Sequence, residues 1–158
     1  MIKRIGFTAI AALALSIAAQ AADMESGTWV MNVAKSTASD GNLRRSMTQV
    51  VSYDGGWLIV KNHAVDKDGN ATSSNSVLKF DGVARPSMLN GPAAVGGLSS
   101  GTRSDDFHKT MVWIAITGKA RSTQVIVISP DGKVKTNTMT RVDKDGKTSN
   151  SVTVYDKQ

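Results

Sequence analysis

The chain has no cysteine among its 158 residues. It can form no disulfide, offers no thiol nucleophile, supplies no thiolate to a metal and gives no cysteine for lipid attachment. Histidine is nearly as scarce, at positions 63 and 108 only. A zinc site usually takes three or four protein ligands, so carboxylates such as Asp66, Asp105 or Asp106 would have to complete one. Asp105-Asp106-Phe107-His108 reads more simply as a polar hairpin turn, and neither a metal nor another cofactor is expected. No Gly-Xaa-Ser-Xaa-Gly elbow presents a serine nucleophile, and no carboxylate pair is spaced in a way that marks a cleft. Enzymatic activity is therefore not expected. Lys and Arg outnumber Asp and Glu by 19 to 13, but beyond the first few residues Arg44-Arg45 is the one adjacent basic pair. Charges so scattered imply no nucleic-acid partner and no anionic membrane surface.

An uncharged apolar run opens the chain. Lys3 and Arg4 form a short basic end, residues 5–19 are dominated by Ala, Leu and Ile, and Ala19-Gln20-Ala21 sets small residues around a peptidase cut. That run is about 15 residues long where a membrane span needs ~20. Residues 1–21 thus read as a signal peptide cleaved before Ala22. Residues 22–158 read as a single domain, periplasmic or extracellular, with no integral membrane association after cleavage. An outer-membrane barrel would show lipid-facing stripes and aromatic girdles, which this sequence lacks.

What the chain has in abundance is turns. Asp-Gly stands at 40/41, 54/55, 68/69, 81/82, 131/132 and 145/146. Asp starts a turn by bonding its own backbone, and Gly accepts the positive φ of a tight reversal, so each pair marks a change of direction. Between them the segments are rich in Val, Ile, Thr and Ser, and none repeats its apolar residues every 3.6 positions. Strands are expected over 28–35, 45–53, 57–65, 72–80, 83–88, 98–103, 109–117, 121–128, 133–142 and 148–155, each bonded to its sequence neighbour. Asp66-Lys67-Asp68-Gly69 and Asp143-Lys144-Asp145-Gly146 look like the start of a calcium loop. The twelfth places counted from Asp66 and Asp143 are Val77 and Val154, where an EF-hand needs Glu, so both are read as turns closed by Gly.

The fold expected is an all-β, antiparallel up-and-down meander of about 8–10 strands. Exposed sheet edges invite aggregation, which favours a closed or nearly closed barrel; a β-sandwich is the alternative. Val134, Thr136, Thr138, Thr140 and Val142 oppose Lys135, Asn137, Met139 and Arg141, so neither face of that strand is purely apolar. Ile126 and Ile128 oppose Val125 and Val127, which makes that strand apolar on both faces and suggests that it is central or covered. The uncharged stretch 86–97 is either a poorly paired edge strand or a loop over one mouth of the barrel.

Gly27-Thr28-Trp29-Val30-Met31-Asn32 resembles the first strand of lipocalins and of fatty-acid-binding proteins, the calycin group. Asn32 to Ser36, the Asp66 and Asp143 turns, and Val154 to Gln158 resemble segments of small exported bacterial proteins of unassigned function. The calycin resemblance implies a barrel in which Trp29 plugs one end and a late Arg, with Arg141 the candidate, covers it. Two departures stand out. Residues 36–42 leave no room for the helices that cap fatty-acid-binding barrels, and the paired Arg and Tyr ligands for a carboxylate are not seen.

In a hollow barrel, Trp113, Met111, Phe80, Leu78 and Met139 are the candidate lining, because apolar sites are walled by such side chains with a few polar groups for orientation. In a filled one the same residues make the core. The first functional reading is an exported, non-catalytic barrel whose partner is a small apolar ligand. The second is a filled structural or protein-interaction module of the cell envelope, and the third a hydrolase built on His63 or His108. The oligomeric state is left open.

Overall fold

The computed structural model describes residues 24–90 and 96–158. The expected signal peptide and the tip of the uncharged stretch, residues 91–95, lie outside the described residues. Twelve strands follow one another: β1 (Gly27–Met31), β2 (Thr37–Ala38), β3 (Ser46–Asp54), β4 (Trp57–Val65), β5 (Ala71–Lys79), β6 (Arg85–Pro86), β7 (Met88–Asn90), β8 (Gly97–Arg103), β9 (His108–Ala115), β10 (Arg121–Ile128), β11 (Val134–Val142) and β12 (Thr148–Lys157). The sole helical element among the described residues is a 3-10 turn, Val33–Lys35, capped by the Asn32 Oδ1, which accepts the Lys35 N–H at 3.2 Å.

All the strands belong to one antiparallel sheet with the order β6-β8-β9-β10-β11-β12-β1-β3-β4-β5-β7, β2 lying off this path against β12. The sheet curls so that its first and last strands in sequence, β1 and β12, pair, Trp29 opposite Lys157 and Met31 opposite Tyr155. The fold is thus a curled, nearly closed barrel of the lipocalin-like kind rather than a sandwich.

Most reversals fall where Asp-Gly places them. Gly55, Gly69, Gly132 and Gly146 all have positive φ, and Gly69 and Gly146 donate to the Asp66 and Asp143 carbonyls at 3.2 and 3.1 Å. The Asp66 carboxylate accepts the backbone N–H groups of Asp68 and Asn70, and Asp143 those of Asp145 and Lys147. Each carboxylate is committed to its own turn.

The strict neighbour pairing expected from sequence fails in two places. Asp40-Gly41 does not make a hairpin, since β2 pairs with β12 while β3 pairs with β1. After Asp81-Gly82 the chain crosses to the far side of the sheet, where Arg85 and Pro86 pair with β8 before β7 returns to β5. The strand expected over 83–88 is therefore two short edge pieces, divided at Ser87, whose N–H still bonds the Gly97 carbonyl at 2.8 Å. This seam between β5 and β8 is bridged by the Gly82 N–H bonding the Gly101 carbonyl at 2.8 Å.

Inward side chains come from alternate positions. Trp29, Met31, Val51, Leu58, Val60, Ile128 and Tyr155 form the buried core. β10 is central, between β9 and β11, but only Ile126 and Ile128 are buried; Val125 faces solvent at 39% exposure. Of the two alternatives suggested by its sequence, central or covered, the structure makes β10 central, with Val127 half-buried on the outer face.

Candidate ligand chamber

Turns at 54–56, 103–108 and 129–132, together with the entering segment 24–26, gather at one end of the barrel, here the base. Those at 66–69, 117–119 and 143–146, with the 39–45 connection, gather at the other, the mouth. The base is sealed by charge. Glu25, just before β1, is 2% exposed, and its carboxylate accepts the Tyr53 hydroxyl at 2.8 Å and the Lys109 ammonium. Lys109, also 2% exposed, donates to the Tyr53 oxygen at 2.8 Å and lies 5.2 Å from the Tyr53 ring and 5.4 Å from the Phe80 ring. The Trp29 indole donates to the Glu25 carbonyl at 2.8 Å, which ties the entering segment to the first strand.

Trp29 is fully buried at the base, while Arg141 lies at the other end of the barrel. Lys135 and Lys157 lie over the Trp29 ring at 4.7 and 5.2 Å, whereas Arg141 borders the mouth cavity. The reason is register. Lys157 stands directly opposite Trp29, and Arg141 pairs with Ser149 at the far end of β11. Lysine thus takes the cation-π position that the calycin resemblance assigned to arginine.

Lys135 is the least satisfied of these cations. Its Nζ is 4.0 Å from Glu25 Oε1, beyond a hydrogen bond, and otherwise faces the rings of Trp29 and Tyr155. Burial lowers its pKa to about 8, Glu25 opposing the fall and Lys109 and Lys157 adding to it. Burial also raises the Tyr155 phenol to about 12, and burial together with Glu25 raises that of Tyr53 well above its ordinary value.

Above this floor lies a chamber of about 240 Å3. Glu25 and Lys135 border its lower end; Arg44, Met139, Ser151 and Thr153 border its upper end and also line a second cavity of about 370 Å3 at the mouth. Its walls are mixed. Leu58, Val60, Met111 and Ile126 alternate in space with Gln49, Asn62, Gln124 and Asn137. Gln49 donates to Asn62 at 2.9 Å, and Asn62 to the Ser74 hydroxyl at 3.3 Å, so an amide and hydroxyl ladder crosses β3, β4 and β5.

Of the five residues expected to line a cavity, the structure brings Met111 and Met139 to the chamber. Leu78 and Phe80 lie at the seam instead, against Gly101 of β8, and Trp113 packs on Gly97 of the same strand. Glu25, Lys109 and Lys135 were not singled out by sequence. A signal for the first was present: Glu25 is the sole glutamate of the chain, set apart from turn-forming aspartates. Both histidines are outside the chamber, His63 bonded to Ser73 at 3.0 Å and His108 to Asp105 at 2.8 Å on an exposed hairpin. Among the described residues no three His, Asp or Glu side chains gather as a metal site would need.

No family model and no curated protein matches the chain. Solved structures do match in fold. A Schistosoma mansoni fatty acid binding protein in complex with arachidonic acid is 11% identical and superposes with a TM-score of 0.58, over 87% of this chain and 98% of that one. An S-type phycobiliprotein lyase from Guillardia theta is 9% identical, TM-score 0.59, over 89% and 92%. The protein EF1p2_mFAP2b bound to DFHBI is 12% identical, TM-score 0.51, over 87% and 97%. The chain shares the curled barrel of these structures, and at such identities the likeness is one of fold alone.

Proposed function

We propose that this protein is an exported, non-catalytic carrier that holds a small molecule inside its barrel. The observation that carries the reading is the chamber itself: a filled barrel would have closed it with side chains, whereas here about 240 Å3 lies between a charged floor and an open mouth. Two of the fold neighbours are complexes with small molecules, arachidonic acid and DFHBI. The position of both histidines outside the chamber favours binding over hydrolysis. Export rests on the character of residues 1–21.

Native mass spectrometry of the protein purified gently from its own cell, set against the same sample denatured, tests the reading. An adduct of small-molecule mass that is lost on denaturation is the expected result, together with a mature N-terminus at Ala22. A bare protein whose melting temperature is unmoved by small-molecule mixtures overturns the carrier, and an intact N-terminus overturns export.

A further inference from the structure

The chamber floor and wall hold a weakly held cation and a carbonyl oxygen with no hydrogen-bond partner in the protein. Lys135, 2% exposed, has no hydrogen-bond acceptor within range: its nearest anion is Glu25 Oε1 at 4.0 Å, and the other Glu25 oxygen already serves Tyr53 and Lys109. Asn137, 7% exposed, follows two positions later on the same inward face, and its buried Oδ1 bonds to nothing in the protein. Both line the chamber. A buried carbonyl oxygen with no partner costs folding free energy, and so does a buried ammonium held only by ring faces and a distant carboxylate.

Charge points the same way. Lys109, Lys135 and Lys157 converge on the base with Glu25 as the anion among them, and Lys157 spends one donor on the Met24 carbonyl at 2.8 Å. Arg44 adds a further positive charge at the upper end of the chamber. On the opposite wall the Gln49, Asn62 and Ser74 ladder leaves amide and hydroxyl groups facing the space. An acyl chain laid there would desolvate them with no return. The chamber, about 240 Å3, continues past Arg44, Met139, Ser151 and Thr153 into the mouth cavity, so its polar lining and not its size discriminates among ligands.

We propose, building on the carrier reading, that the chamber selects a small organic anion bearing its own hydrogen-bond donors, a hydroxy acid or its like: the anionic oxygen on the Lys135 ammonium and a hydroxyl on the Asn137 amide. This differs from the small apolar ligand expected from sequence, because the inward face of β11 is its polar one.

Three probes of matched size test it by calorimetry on the purified protein: 4-hydroxybenzoate, its neutral counterpart 4-hydroxybenzamide, and octanoate, an acid without a donor. The expected order places 4-hydroxybenzoate at least about tenfold tighter than either, the scale of one charge-assisted hydrogen bond. Lys135→Met should erase the preference over the amide, and Asn137→Leu the preference over octanoate, with melting curves showing that each variant is folded. If one variant does not fold, the other still decides, since each removes a different preference. Octanoate binding as tightly as the hydroxy acid, or an affinity indifferent to both substitutions, overturns the inference while leaving a binding barrel in place. Failure of all three probes overturns it too, and the native mass spectra then decide separately whether the barrel carries anything.

Discussion

At the scale of single residues, the base of the barrel sets one carboxylate against converging lysines, and its members are not interchangeable. Removing Glu25 leaves Lys109 and Lys135 buried without their anion, whereas removing Lys135 leaves the Glu25 and Lys109 pair intact. Glu25→Gln should therefore lower stability in urea by about 3–5 kcal/mol, the cost of breaking a buried pair from one side. Lys135→Met should cost far less or stabilise. The two differ in pH dependence as well. Lys135 has a folded pKa of about 8, below its ordinary 10.5, so between those values the unfolded chain binds a proton that the native state does not. Stability then rises with pH across that window, and the penalty is full below pH 8. Urea midpoints at pH 8 and 9.5 should rise in the native protein relative to Lys135→Met by the equivalent of roughly 1–2 kcal/mol, at ~1.4 kcal/mol per pK unit. Glu25, Lys109, Lys157, Tyr53 and Tyr155 face the same floor and are present in both proteins; Tyr155, raised to about 12, pulls stability down above pH 10 in each. Parallel pH profiles for the two proteins would remove Lys135 as the source. Little of this was legible in the sequence. Lys135 sits on a strand mixed on both faces, so alternation does not tell which face is inside, and Glu25 precedes the first strand, where no periodicity exists to place it.

At the scale of elements, the strands themselves were legible and their partners only in part. The segments 57–65 and 121–128 fall where alternation and flanking turns put them, because Asp-Gly fixes both ends of the first and the Gly118 turn and Asp131-Gly132 the ends of the second. A turn signal does not say which strand comes next in the sheet, and so the crossing at Asp81-Gly82 and the pairing of β2 with β12 were hidden. The seam that results is closed by side chains leaning onto glycines. A Cβ at Gly101 would lie 2.8 Å from Phe80 and 2.9 Å from Leu78; at Gly97 it would lie 2.5 Å from the Trp113 nitrogen and 2.6 Å from the Ile114 carbonyl oxygen. Side chains shift more cheaply than a backbone carbonyl in a ladder. Gly101→Ala should cost about 1–3 kcal/mol, as overpacking does, and Gly97→Ala more than Gly101→Ala, both read as urea midpoints. Equal, small losses would show that the seam has slack and that β8 is free to move outward.

At the scale of the molecule, the barrel is held unevenly around its circumference. On one side β1 and β12 pair, and β11, β12, β1 and β3 run as an unbroken ladder over Trp29 and the charged floor. On the other, β5 is bonded to β7 only through residues 75–77, β6 holds β8 through Arg85 and Pro86, and among the described residues the mouthward part of β5 has β4 as its one neighbour. The side chains follow the same gradient, from a buried core beneath β1 and β12 to exposed positions along residues 71–75. Local opening requires little free energy where few apolar contacts and few ladder bonds must break, and nearly the global value where many must. Amide hydrogen exchange should therefore start at residues 71–75 and 85–90, with the inward-packed segments of β1, β3 and β12 exchanging last and near the global unfolding free energy. Filling the chamber bears on that gradient, since Ser74 and Ser76 of β5 and Met111 of β9 reach it from the two sides of the seam. A small molecule bound there at a hundred times its Kd adds about 2.7 kcal/mol to global stability. It should slow exchange in β5 by a larger factor than in β12 if the seam is also the element that yields when the chamber empties. Equal slowing everywhere would mean that the barrel opens only as a whole and that exchange with solvent runs through the mouth between Arg44 and Met139.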